Sequence, residues 1–229
     1  MFLRQISEIL IYFYSMLVVK SFTFSPVQEN TYIVYNEEKR SCVVDPGCYF
    51  ENERRELENY LKENQLVPNY LLNTHCHLDH VFGNQFVSRK YGLLLHIHQK
   101  EKPVLDYAPI SGKEWNLPFA NYEGDLAYLT EGDMIRIGAD EMKVLFLPGH
   151  SPGHIGFYCE EQQFIIAGDV LFRKSIGRTD LPGGDFDTLI SSIREKLFVL
   201  PDEVMIYPGH GESTTIGYEK RHNPFLAAN

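Results

Sequence analysis

Apolar and polar positions alternate along this chain in short bursts, interrupted by stretches with helical spacing. Val18 to Ser25 and Asn30 to Tyr35 alternate with period two around the turn Ser25-Pro26-Val27-Gln28-Glu29, which predicts a strand pair. Ser41-Cys42-Val43-Val44 predicts a third strand, stopped by Asp45-Pro46-Gly47. Glu51 to Asn64 is highly charged but carries Leu57 and Leu61 four residues apart, the signature of a helix with one buried side. Pro68 opens the next strand, which runs through Tyr70-Leu71-Leu72. Val81, Phe82, Phe86 and Val87 then have helical spacing, with Asp79 expected to cap the start, Arg89 and Lys90 in the last turn and Gly92 as the stop. Leu93 to Ile97 predicts a strand. Gln99 to Leu126 is polar and irregular, holding Pro103, Pro109, Pro118 and the only tryptophan, Trp115, and is expected to be a helix plus a long loop.

From Leu126 to Phe172 strand follows strand, punctuated by Glu131-Gly132-Asp133, Gly138-Ala139-Asp140 and Glu160-Glu161-Gln162. An amphipathic helix over Asp187 to Leu200, a strand over Val204 to Tyr207 and a short helix over Thr215 to Arg221 complete the pattern. Two groups of strands with interspersed helices predict an α/β fold, a four-layer αβ/βα sandwich rather than a doubly wound parallel sheet. No linker divides residues 18–229, which are expected to be one domain. Ile9 to Val19 is almost wholly apolar, yet too short to span a bilayer. Arg4 precedes it without a small-x-small cleavage site, so residues 1–17 are expected to be a leader outside the fold, with Met16 as an alternative start.

Composition narrows the function classes. With 44% hydrophobic and 23% charged residues the chain is ordinarily globular, and 21 Lys+Arg against 31 Asp+Glu gives −10, with no basic run to hold nucleic acid. Nothing calls for stable membrane association. Cys42, Cys48, Cys76 and Cys159 are scattered with no C-x-x-C pair, so neither a disulfide framework nor a Cys-rich zinc site follows, and free thiols in a reducing cytoplasm are expected.

The chemistry concentrates in Asn73-Thr74-His75-Cys76-His77-Leu78-Asp79-His80. His75 and His77 share a face of an extended segment, while Asp79 and His80 follow where the chain turns into a helix. Three later stretches have the same grammar, an apolar strand ending in a glycine turn and a ligand residue: Pro148-Gly149-His150, Gly168-Asp169 and Pro208-Gly209-His210. Five imidazoles and two carboxylates suit zinc, iron or manganese, and seven ligands are too many for one tetrahedral ion. Two divalent ions, about 3.5–4 Å apart, are expected. His96 and His98 are expected to be strand and helix-cap residues, His154 an orienting neighbour of the turn, His222 solvent-facing, and Cys76 a small filler pointing away from the ligands.

These residues resemble the metallo-β-lactamase fold superfamily, whose pattern is H-x-H-x-D-H followed by a distant His, Asp and His. Gly168-Asp169-Val170-Leu171-Phe172, Ser175-Ile176-Gly177-Arg178-Thr179-Asp180 and Pro208-Gly209-His210-Gly211 through Asn223-Pro224-Phe225 are similar to compact glyoxalase-II-like hydrolases, a resemblance covering about Val18 to Leu226. It implies that His75, His77 and His150 hold one metal, Asp79, His80 and His210 the other, and that Asp169 bridges them, with zinc the expected metal. It further implies hydrolysis of a small-molecule thioester or related ester by a metal-bridging hydroxide, with Asp79 orienting the hydroxide and Arg178, or Lys174, pairing with a substrate carboxylate. Glu212 stands where that family has a glutathione-contacting tyrosine, and the chain ends without the family's C-terminal helical domain, so a thiol other than glutathione or a broad substrate range is expected. Other readings are a mononuclear iron persulfide dioxygenase of the same fold using His75, His150 and Asp169, a lactonase, and a non-catalytic metal-binding module.

Overall fold

Residues 16–226 are described by the structure, a computed structural model. Strands β1 (Val18–Phe24), β2 (Glu29–Tyr35) and β3 (Arg40–Val44) form an antiparallel meander. Helix α1 (Glu51–Glu63) then carries the chain over to β4 (Val67–Leu72), parallel to β3. A single-turn helix α2 (Leu78–Val81) and α3 (Asn84–Tyr91) lead to β5 (Leu95–His98), and α4 (Lys102–Glu114) leads to β6 (Leu126–Leu129). Both join in parallel, giving the order β1-β2-β3-β4-β5-β6. Parallel neighbours require such crossovers, which puts α1, α3 and α4 on the outer face of this sheet.

The second sheet begins with β7 (Met134–Ile137), β8 (Asp140–Phe146), β9 (Ile155–Cys159) and β10 (Phe164–Gly168), antiparallel throughout. A small hairpin, β11 (Leu171–Phe172) with β12 (Ser175–Ile176), precedes α5 (Phe186–Ser192), which runs on into a π-helical turn over Ile193–Leu197. Strand β13 (Met205–Pro208) returns parallel to β10, and β14 (Thr214–Thr215) and α6 (Ile216–His222) finish the fold. The sheet order is β14-β13-β10-β9-β8-β7.

Three apolar cores separate four layers. In β2, Tyr32 and Val34 pack between the sheets while Ile33 faces α1, α3 and α4. In β10, Phe164 and Ile166 pack between the sheets while Ile165 and Ala167 face α5 and α6. Strands buried on both faces alternate between two apolar environments, so their sequence reads as a continuous apolar run. The expected four-layer αβ/βα sandwich is the fold observed.

Local expectations needed correction at three places. Asp79 does not cap a helix: His77 is the extended residue before α2, and Asp79 lies in its first turn. The expected continuous helix breaks at Gly83, whose N–H donates to Pro46 O at 2.6 Å and whose Cα packs too close to Pro46 and Cys48 for any side chain. The helix expected over Asp187–Leu200 starts at Phe186, because the Asp185 carboxylate caps it through Thr188 N, and its second half is a π turn. Gln99–Leu126 is indeed a helix plus a loop, with a 3₁₀ turn at Gln99–Glu101 ahead of α4. All four cysteines are buried and free. No helix among the described residues is long and apolar enough to cross a membrane. The leader expected over residues 1–17 falls outside the described residues up to position 15; Leu17 is buried, and its N–H donates to Gln162 Oε1 at 2.7 Å.

Candidate metal centre

Strands β3, β4, β8, β10 and β13 all end on one edge of the sandwich, where the two sheets meet. Ile155 N donates to Thr74 O at 2.9 Å and Asn30 N to Gly209 O at 2.7 Å, so backbone hydrogen bonds join the two sheets here. Glycine permits the approach at two of the turns. A Cβ on Gly209 would collide with Asp169 Oδ1 and the His80 ring. Gly168 has φ +49° and would push a Cβ into Thr74 and His154.

The turns bring six of the seven predicted ligands into two adjoining sets, with the seventh, Asp169, between them. In the first, His150 Nε2 lies 3.2 Å from His75 Nε2 and 2.9 Å from His77 Nδ1. In the second, His210 Nε2 lies 3.1 Å from Asp79 Oδ2, and His80 Nε2 lies 3.9 Å from the same oxygen. Asp169 stands between them: Oδ2 is 3.6 Å from both His150 Nε2 and His210 Nε2, and Oδ1 is 3.5 Å from His80 Nε2. Ligand atoms sharing one tetrahedral ion with 2.0–2.1 Å bonds are about 3.3 Å apart. The observed separations bracket that value. His80 Nε2 and Asp169 Oδ1 are also buried without a hydrogen-bond partner, which a cation between them would remedy. The residues fit two divalent ions.

Outer contacts fix which nitrogen faces inward. His150 Nδ1 donates to Arg178 O at 2.7 Å and His210 Nδ1 to Gln28 O at 3.1 Å, leaving each Nε2 lone pair directed at the centre. Thr74 Oγ1 donates to Asp45 Oδ2 at 2.6 Å and so accepts from His75 Nδ1 at 3.1 Å. His80 Nδ1 sits 3.1 Å from the same Asp45 oxygen. Asp45, His75 and His80 lie close enough to suggest a third ligand set, but Asp45 is already engaged by Thr74 N, Thr74 Oγ1 and Asn73 Nδ2, so it orients the two imidazoles instead. His154 Nε2 accepts from Asp169 N at 3.1 Å, and its ring stacks on His75.

Burial lowers the proton affinity of His75, His77, His150 and His154, and neighbouring imidazoles lower it further; His77 is pushed down to about 3. These are neutral bases with lone pairs to give. Burial acts the same way on His80, but Asp169 and Asp79 outweigh it and hold its imidazole well above the ordinary value. Burial disfavours the charged Asp169 and Asp79, yet His80 leads the partners that keep both carboxyls below the usual range. Without metal the second set therefore behaves as an ion-pair cluster, which a divalent cation would replace.

Residues predicted at the rim are placed differently. Arg178 turns Nε and Nη2 onto Asp180, each at 2.7 Å, while its carbonyl supports His150. Lys174 is exposed at the turn of the β11–β12 hairpin with φ +59°, its N–H donating to Glu219. Neither side chain is brought into the ligand cluster. Glu212 pairs with Arg173. His96 hydrogen-bonds Leu71 O and Leu94 O, His98 caps the 3₁₀ turn, and His222 is exposed and stacks on Tyr218. Cys76 is buried in the helix-side core.

Sequence reasoning passed over three carboxylates. Asp45 follows the strand Cys42-Val43-Val44 in the same strand-then-turn grammar as the ligands, a signal that reads first as a stop. Glu29 is fully buried, accepts from Thr31 Oγ1 at 2.9 Å and lies 4.0 Å from His80 Nδ1. Glu101 accepts from Cys76 N at 2.8 Å, Ser151 Oγ at 2.5 Å and Gly153 N at 2.7 Å, tying the two segments that carry the first ligand set.

Comparison with known proteins agrees with this geometry. A family model described as the metallo-beta-lactamase superfamily matches residues 24–210. The hydroxyacylglutathione hydrolase GloC of Haemophilus influenzae is 40% identical over 201 residues, which span 87% of this chain and 93% of that protein. The structure of BLEG-1 B3 metallo-beta-lactamase superposes with a TM-score of 0.85 at 36% identity, covering 92% of this chain and 100% of its own. A di-iron-bound form of TTHA1623 superposes with a TM-score of 0.82 at 38% identity, covering 91% and 100%.

Proposed function

The chain belongs to the metallo-beta-lactamase superfamily, and from that premise we propose that it is a two-metal hydrolase cleaving a thioester. The observation carrying the proposal is the pair of three-ligand sets with Asp169 within 3.6 Å of both. His75, His77 and His150 would hold one ion, Asp79, His80 and His210 the other, and Asp169 would touch both. Bound divalent ions lower the pKa of water to about 7 and polarise a carbonyl oxygen.

The chain's own groups do the rest. The backbone carbonyls of Arg178 and Gln28 and the Thr74 hydroxyl hold three imidazoles in the tautomer that presents Nε2, so no ring has to turn when substrate arrives. Asp79, whose carboxyl is kept below the usual range against burial by His80 and His210, would accept a hydrogen bond from the attacking water and orient it. A thiolate leaves without an acid to protonate it, which suits a site whose imidazoles are mostly neutral bases. The thioester reading is supported by the 40% identity to a hydroxyacylglutathione hydrolase. Arg178 and Lys174 are proposed contacts for a charged thiol carrier at the exposed rim; Arg178 would exchange Asp180 for that carrier. The mononuclear iron alternative uses His75, His150 and Asp169 and leaves the second set without a purpose.

The test is to count metals in the purified protein and offer it a lactoyl thioester and, separately, a persulfide with oxygen monitored. Two metals per chain with thiol release are expected. Oxygen uptake with one iron per chain would replace this reading.

A further inference from the structure

A cavity of about 290 Å³ opens beside the first ligand set, between α4 and the loop at Leu181-Pro182-Gly183. Val104, Tyr107 and Ser111 form its α4 wall, Leu181 and Pro182 the opposite one, and the ligand His77 belongs to its lining. Among the described residues no Lys, Arg, Asp or Glu lines it. Its wall is held in register with the centre, since Glu101, the residue before α4, grips Cys76 N and Gly153 N.

A thioester has two sides to place. The thiol side of a biological carrier bears carboxylates, phosphates or ammonium groups, and an unpaired charge in such a cavity is strongly disfavoured. An uncharged acyl group loses nothing there and gains about 0.8 kcal/mol per methylene taken out of water, roughly fourfold. Because His77 belongs both to this lining and to the first ligand set, an acyl chain in the cavity would have its carbonyl beside that set. We propose that this cavity is the acyl subsite and that the substrate class is thioesters of apolar acyl groups, not of short hydroxylated ones. The inference rests on the hydrolase reading above and narrows it.

Metal-loaded full-length protein would be given acetyl, lactoyl, butanoyl and hexanoyl thioesters of N-acetylcysteamine. The expected kcat/KM rises about fourfold per added methylene, roughly 250-fold over the four methylenes from acetyl to hexanoyl, with lactoyl near acetyl. Ser111→Phe fills the cavity and Leu181→Asp charges its other wall; each should bring the hexanoyl-to-acetyl ratio down toward one at wild-type metal content. A flat wild-type series, a preference for lactoyl, or a ratio that neither variant changes overturns the proposal. If no thioester is cleaved by protein holding two metals, the hydrolase reading fails, and calorimetry with hexanoate and acetate then decides the cavity. Hexanoate binding more tightly in the wild type, with that advantage lost in Ser111→Phe, upholds the apolar subsite, and equal binding overturns it.

Discussion

Asp79 is proposed to have a second task, orienting the attacking water as well as completing the second set. Asp79→Ala should lower turnover more than roughly 100-fold and reduce bound metal from two ions toward one, because His80 and His210 alone leave that ion underligated. Metal analysis beside steady-state rates checks this; near-normal turnover by a folded variant contradicts it. The imidazoles also set how the metal-free protein answers acid. Burial, helped by His150, pushes His77 from 6.5 to about 3, and His75, His150 and His154 shift the same way. The unfolded chain then takes up protons that the folded chain refuses, so stability is present above pH 6.5 and is lost as pH falls toward 3. His80 and His210 have the opposite sign: Asp169 and Asp79 raise them against burial, and their contribution is lost only as pH rises through those elevated values. Below pH 6.5 the raised His80 and His210 are protonated folded and unfolded alike. The four lowered imidazoles outnumber the raised carboxyls Glu29 and Glu101 that act oppositely there, so the urea midpoint of the chelated protein should fall steadily from pH 6.5 to 4. A midpoint that rises over that range would be incompatible with neutral, buried ligands.

At the scale of elements, the recurring unit is an apolar strand, a turn and then a side chain that must not wander. Glu101 serves that unit from outside, joining the start of α4 to the segments of His75–His77 and His150. Glu101→Ala leaves three buried donors without an acceptor, each worth about 1–3 kcal/mol. It should weaken the ion on the first set about 10–100-fold and spare the second, with Glu101→Gln intermediate. Stepwise metal titration separates the two sites, and equal weakening of both would show that Glu101 only supports the helix. The ligands themselves were legible because strand, glycine turn and ligand are consecutive in the chain. Glu101 was not, because one carboxylate in a polar, proline-broken stretch looks the same whether water or a buried N–H receives it. Asp45 was hidden differently, behind a Pro-Gly signal that marks the end of a strand equally well.

For the whole molecule, the metal centre is a joint. Residues after β4 in the first sheet and after β8, β10 and β13 in the second would supply its ligands. An ion at 100 times its dissociation constant stabilises the folded state by about 2.7 kcal/mol per site. In a domain of this size that corresponds to roughly 5–10 °C per site. Calorimetry with and without a chelator should show a drop of that order, and an unchanged transition would mean that the centre does not carry the contact between sheets.

By itself the sequence determined the layers and the donors. Period-two runs buried on both faces, crossover helices and four strand-end turns are properties of neighbouring residues, set by local spacing and backbone geometry. The tertiary structure alone decided which nitrogen each imidazole turns inward, that Asp45 orients rather than ligates, that Arg178 already holds Asp180, and that α4 walls an uncharged cavity beside His77. Apart from the Arg178–Asp180 and Thr74–His75 contacts, which are local, those facts depend on groups 25 to 182 residues apart meeting within about 3 Å. Such a meeting exists only once two sheets have packed, and no local pattern encodes it.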